Sequence, residues 1–198
     1  MLRSNLRCAG MVDALSYWTF TDVFEEVGAG PKAFHGGFGM INLQGVKKPV
    51  FHAYRILNEL GDWCLEEEEG CIATRKGNRL NMAFYHYPDE VAGTVPMSMY
   101  PDQSVARGCQ QTGSDRRYRI YVTGLKPAEH YTLRLLKRDN IAVNLWNAMG
   151  APTSPTREQE EALQFQGDFM EQTVFTVGDD GTLEIDFTVP AWTIGQLV

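Results

Sequence analysis

The run Ala14-Leu15-Ser16-Tyr17-Trp18-Thr19-Phe20-Thr21-Asp22-Val23-Phe24-Glu25-Glu26 governs how the chain is read. Residues 14–20 are rich in aromatic residues and uncharged, with little polar content to mark either face as solvated. Near-continuous apolar strands suit sheets covered on both sides, as in alternating α/β architectures, so a strand is expected here. Residues 25–39 then hold five glycines and a proline among charged and aromatic side chains, which reads as an ordered loop.

Outward from this run, residues 4–11 suit a short helix, and a longer one follows the loop. Pro49 fits a first helical turn, Val50, Ala53, Tyr54, Leu57 and Leu60 recur at intervals of three or four, and Gly61 stands where a C-terminal cap belongs. Strand, loop and helix make one βα unit over residues 1–61, and such a unit cannot bury its own strand.

After Glu66-Glu67-Glu68-Glu69, read as a solvated linker, the period drops to two. Leu80, Met82 and Phe84 alternate with Asn81, Ala83 and Tyr85. Tyr118, Ile120 and Val122 repeat the pattern, as do Tyr131, Leu133 and Leu135, and then Leu183, Ile185, Phe187 and Val189. Gly77-Asn78 and Asp179-Asp180-Gly181 supply turns. The expected fold is therefore mainly β: an antiparallel β-sandwich over residues 62–198, preceded by the βα unit. Residues 88–115 form a long polar excursion. Thr156-Arg157-Glu158-Gln159 matches a capping box and opens one inserted helix, running to about Phe165 and expected to cover one end of the sandwich.

The whole composition agrees. A chain of 198 residues is long enough for one sizeable core plus an appendage, and Lys+Arg 18 against Asp+Glu 25 gives a net charge of −7. That balance offers no electrostatic reason to bind nucleic acid or an anionic membrane. No continuous apolar run of about 18 residues occurs, and the opening residues lack a signal-peptide core, so a cytoplasmic protein is expected. Cys8, Cys64, Cys71 and Cys109 form no CxxC pair and are expected as reduced thiols. His35, His52, His86 and His130 show no zinc-ligand spacing, and no metal or other cofactor is expected.

Glu25 and Glu26 follow the expected strand where it enters the glycine-rich loop, with Trp18, Phe20, Phe24, Phe34, His35 and Phe38 near them in sequence. Carboxylates accept hydrogen bonds from sugar hydroxyls, and flat rings pack on apolar C–H faces. On the residues alone, a solvated acidic loop is the simpler reading and a sugar site the sharper one. Adjacent residues point different ways, so Glu25 and Glu26 make a poor acid/base pair and are better cast as hydroxyl binders. Gly36-Gly37-Phe38-Gly39 lacks the spacing of a phosphate loop, and its glycines fit tight turns beneath a pocket.

Residues 17–26, Phe34-His35-Gly36-Gly37-Phe38-Gly39 and Lys48-Pro49, with Trp146-Asn147-Ala148-Met149-Gly150-Ala151-Pro152 and Pro155-Thr156 further on, resemble glycoside hydrolase family 39, the β-xylosidase and α-L-iduronidase group. The resemblance implies the end of a (β/α)8 barrel followed by an accessory β-sandwich, with residues 14–20 as the eighth strand and 49–60 as the eighth helix. It implies a retaining enzyme whose acid/base and nucleophile glutamates, after the fourth and seventh strands, fall before Met1, so no catalytic residue is expected in these 198. Glu25 and Glu26 match acidic positions that help bind the glycone, and Trp18, Phe34 and His35 match the same active-site wall. One departure is Asp139-Asn140-Ile141-Ala142-Val143-Asn144-Leu145, where the family commonly carries a His-Ser-Asn-Ala run.

The implied function is the C-terminal part of a β-xylosidase-like hydrolase, inactive alone, with xylose or xylo-oligosaccharides as partner. The alternative is a carbohydrate-binding or scaffold module without hydrolase activity. An unpaired barrel strand also predicts a homo-oligomer formed through residues 1–61.

Overall fold

The computed structural model describes residues 1–23, 28–88 and 113–198. The chain divides into two compact units, one of residues 1–58 with 139–170 and one of residues 59–138 with 171–198. This division is discontinuous, unlike the 1–61 and 62–198 boundary expected from the sequence.

The first unit contains helices α1 (Leu2–Cys8), α2 (Pro49–Glu59), α3 (Ala142–Ala148) and α4 (Arg157–Asp168). Residues 14–20 do not form the expected strand. A strand needs a neighbour's amides and carbonyls along its length, and here residues 40–41 supply them only at one end. Met40 N donates to Thr19 O and Phe20 O at 3.0 Å, Ile41 N donates to Phe20 O at 3.1 Å, and Asp22 N donates to Ile41 O at 2.9 Å. The ladder shrinks to a single parallel bridge, Thr21 with Ile41.

Helix α2 begins at Pro49 as its fixed φ favours; of the expected stripe only Ala53 is fully buried, together with His52 and Ile56, while Val50, Tyr54, Leu57 and Leu60 are half-buried. Gly61 is not a left-handed cap. It is glycine because a β-carbon there would stand 2.1 Å from Arg75 O. The capping box of α4 is present: Thr156 Oγ1 accepts from Gln159 N at 3.3 Å, while Gln159 Oε1 accepts from Thr156 N at 2.9 Å. The helix continues past Gly167 to Asp168, and it belongs to the first unit. Leu163 packs with Ala33, Val46, Ala142 and Trp146 in the core of the first unit. Gly167 lets the helix approach Val46, whose Cγ1 would lie 2.9 Å from an added β-carbon.

Among the described residues the second unit is a sandwich of eight strands: β1 (Trp63–Glu68), β2 (Cys71–Lys76), β3 (Arg79–His86), β4 (Arg116–Val122), β5 (His130–Leu136), β6 (Glu171–Thr176), β7 (Leu183–Val189) and β8 (Thr193–Leu197). Six form one antiparallel sheet in the order β1-β2-β3-β8-β5-β6, and β4 pairs with β7 in the other. Leu80, Met82, Phe84, Leu133, Leu135 and Leu197 from the first sheet meet Tyr118, Ile120, Leu183 and Ile185 from the second. Phe84 stands edge-on to Tyr118 and Phe187, at 5.4 Å from each, tying the layers together. The buried Tyr118 hydroxyl donates to Tyr85 O at 2.8 Å, so this ring costs no unsatisfied polar group.

Two expectations change here. The acidic run lies largely within β1, an edge strand exposed along its length, rather than in a linker. Charges on an edge strand keep it from pairing with other chains. Strand β3 is buried on both faces rather than half-buried. Most of the polar excursion, residues 89–112, lies outside the described residues. Cys8, Cys64 and Cys71 are free thiols, whereas Cys109 lies outside the described residues. Among the described residues no helix is long and apolar enough to cross a membrane.

Candidate sugar-binding loop

The loop of the first unit is organised around one carboxylate. Asp22 stands where the apolar run ends and is 1% exposed. Its Oδ1 accepts from Gly39 N at 2.7 Å and from Lys48 Nζ at 2.7 Å, while its Oδ2 accepts from Lys48 Nζ at 2.8 Å. The same ammonium also donates to Gly37 O at 2.8 Å. A carboxylate this buried needs such partners, because an unpaired charge in the interior is far costlier than a paired one. Two glycines make the approach feasible. A β-carbon on Gly37 would fall 2.5 Å from Asp22 Oδ1, and one on Gly39 would fall 2.2 Å from Asp22 N.

A second polar residue fixes the far side of the loop. Asn42 is buried; its Nδ2 donates to Ala33 O at 3.0 Å, and its Oδ1 accepts from Val46 N at 2.9 Å. Tyr17 lies across the bend, donating from its hydroxyl to Phe38 O at 2.5 Å. Burial, then the nearby Asp22 and Tyr54, push the Tyr17 hydroxyl above its ordinary pKa, so it remains a donor.

The sequence candidates are placed as follows. Trp18 is 69% exposed and Phe20 64%, so both rings are open to a partner. Phe34 is half-buried and tilted against the buried Trp146 ring at 5.5 Å, with Lys32 Nζ on the same indole at 5.5 Å. The Trp146-to-Pro152 motif is self-contained, because Trp146 Nε1 donates to Pro152 O at 3.0 Å. His35 is half-buried, and its ring fills the space where a β-carbon of Gly30 would sit, 2.4 Å from Nε2. That nitrogen is buried without a hydrogen-bond partner among the described residues. Glu25 and Glu26 lie outside the described residues.

Sequence reasoning missed the Asp22–Lys48 pair. Its signal was present: one acid at the end of an uncharged run, and one lysine immediately before the helix-opening Pro49. Among the described residues no group of three His, Cys, Asp or Glu is placed to hold a metal ion. Chemically, the region offers exposed rings and a glycine-lined bend, while Asp22 is committed to Lys48 and is no free acid or base.

The model of glycosyl hydrolases family 39 matches residues 6–184. A β-xylosidase of Geobacillus stearothermophilus is 49% identical over 65 residues, covering 33% of this chain and 13% of the relative. A β-xylosidase of Caldicellulosiruptor saccharolyticus is 29% identical over 156 residues, covering 75% of this chain and 28% of the relative. The crystal structure of a family 39 enzyme from Xanthomonas axonopodis pv. citri superposes with a TM-score of 0.78 at 26% identity, covering 99% of this chain and 38% of that one. The chain thus spans well under half the length of each of these proteins.

Proposed function

Since this chain belongs to glycosyl hydrolases family 39, we propose that it supplies the glycone-binding loop and accessory sandwich at the C-terminal end of a retaining β-xylosidase-like hydrolase. We propose further that these residues by themselves do not hydrolyse a glycoside. The observation that carries this reading is the pairing of exposed Trp18 and Phe20 rings with a carboxylate, Asp22, already consumed by Lys48. Retaining hydrolysis needs two carboxyl groups about 5–5.5 Å apart, one of them free to give and take a proton. The described part of the loop offers binding surfaces and no such pair. In this reading Trp18, Phe34 and His35 line the wall of the sugar site, and Glu25 and Glu26 accept hydrogen bonds from the glycone hydroxyls. The free thiols of Cys8, Cys64 and Cys71 suit a reducing compartment, and we assign the chain to the cytoplasm.

Two measurements test it: turnover of an aryl β-xyloside, and calorimetric titration with xylose and xylo-oligosaccharides. The expected result is no hydrolysis together with measurable binding heat. Hydrolysis by the purified chain that disappears in Glu25→Gln or Glu26→Gln would overturn the claim of inactivity. Absence of heat from a folded chain would count against sugar binding.

A second reading is favoured by the exposure of Met11, Val12, Leu15, Trp18 and Phe20 along one stretch of the first unit. In that reading the segment associates with another copy of the chain, as exposed apolar groups tend to do. Light scattering that gives a monomer mass across a wide concentration range would refute it.

A further inference from the structure

We propose that Asp22 and Lys48 are a positioning pair that fixes the neck of the loop and thereby sets its affinity for a pentose; this rests on the sugar-binding reading above. The argument starts from where the contacts fall in the sequence. Asp22 lies just before residues 23–36, and Gly37 and Gly39 lie just after them. Lys48 joins the two sides, with one ammonium held by the Asp22 carboxylate and by Gly37 O. The Gly39 amide closes the same junction by donating to Asp22 Oδ1. Phe34 and His35 hang from this neck.

Stability does not explain such a pair well. Replacing a buried ion pair by apolar groups of similar volume is often neutral or stabilising, because desolvation offsets the Coulombic gain. What a fully hydrogen-bonded pair adds is a single register. Here that register reaches a candidate sugar contact directly. Gly37 is wedged between the pair and the His35 ring: a β-carbon there would meet Asp22 Oδ1 at 2.5 Å and His35 Cε1 at 2.8 Å. Gly30 bounds the same ring from another position. A shift of the neck therefore moves His35 without passing through the hydrophobic core.

The test compares the 198-residue chain with Lys48→Met and Lys48→Arg by calorimetric titration with xylose. It adds amide exchange at Gly39 and the 5-fluorotryptophan signals of Trp146, Trp63 and Trp192. We expect Lys48→Met to weaken xylose binding about tenfold and Lys48→Arg to stay within about threefold of the parent. Gly39 should exchange faster in Lys48→Met, while the three tryptophan signals stay where they are. Unchanged xylose affinity in Lys48→Met overturns the proposal. So does loss of binding accompanied by a displaced Trp146 signal, which would make the role merely structural. If the parent chain gives no heat with xylose, the sugar reading itself fails, and Gly39 then decides the neck alone. Faster exchange in Lys48→Met supports the neck, and unchanged exchange overturns it.

Discussion

Gly39→Ala isolates a steric requirement from a conformational one. Gly39 does not sit in the left-handed region, so alanine meets no penalty from its backbone angles. Its β-carbon would instead lie 2.2 Å from both Asp22 N and the Thr21 carbonyl carbon, and backbone atoms cannot rotate away as a side-chain end can. Forcing an extra carbon into a packed site costs about 1–3 kcal/mol. Pushing residue 39 outward also stretches its N–H bond to a buried carboxylate, an interaction worth about 1.5–3 kcal/mol. One displacement serves both effects, so they do not simply add, and we expect a total near 3 kcal/mol. For a chain of this size unfolding as a whole, that corresponds to a loss of about 6–12 °C in the unfolding temperature. Gly36→Ala is the control. Gly36 has φ +90 and nothing within 4 Å of an added β-carbon, so its cost is the left-handed backbone alone, about 1–2 kcal/mol. Thermal and urea denaturation followed through Trp146, buried in the core of the first unit, reads both variants. A Gly39→Ala chain within about 0.5 kcal/mol of the parent, or one more stable than Gly36→Ala, would refute the packing argument.

Three further outcomes follow from buried groups. His52 contacts Gly167 O through Nε2 at 2.6 Å, and burial holds its pKa below the ordinary value despite that contact. The unfolded chain therefore binds this proton more readily, so stability from His52 is complete above about pH 6.5 and falls as pH drops below it. Denaturation between pH 5 and 8 should show a shallower slope in His52→Gln, and equal slopes would contradict the assignment. Burial, then Glu68 and Glu66, push the Cys71 thiol up to about 12, so iodoacetamide at pH 8 should label exposed Cys64 and leave Cys71 unmodified by mass spectrometry. Leu163→Ala should lose about 2–5 kcal/mol, because Leu163 is fully buried against Trp146 and Val46. A change below about 1 kcal/mol in urea denaturation would show that this core can collapse around the cavity.

What the sequence disclosed depended on how local the cause was. The capping box at Thr156 was readable because both of its hydrogen bonds join residues three apart. Strands β3, β4, β5 and β7 were readable because their inward positions carry large apolar groups at period two. Strand β8 was not. It sits between β3 and β5, and its Gly195 is there because Leu135 Cδ2 and Arg134 O leave no room for a side chain, 2.5 and 2.7 Å from an added β-carbon. Close packing removed the very residues by which a strand is recognised. Strand β1 hid behind its glutamates, which suit an edge and therefore mimic a linker. At the site, the aromatic candidates and His35 could be named from composition. The Asp22–Lys48 pair was missed although each residue stands out in sequence, one ending an uncharged run and one preceding Pro49, because only the folded loop brings the two together.

The return of residues 139–170 to the first unit imposes an order on synthesis. A chain emerging from the ribosome exposes residues 1–58 long before Trp146 and Leu163 exist to complete their core. The six-stranded sheet waits longer still, because β8, which joins β3 to β5, is the last of its strands to be made. Domains usually fold one after another from the N-terminus during translation. Here neither unit can close that way, and a nascent chain stalled near residue 138 would hold two unfinished halves rather than one finished domain.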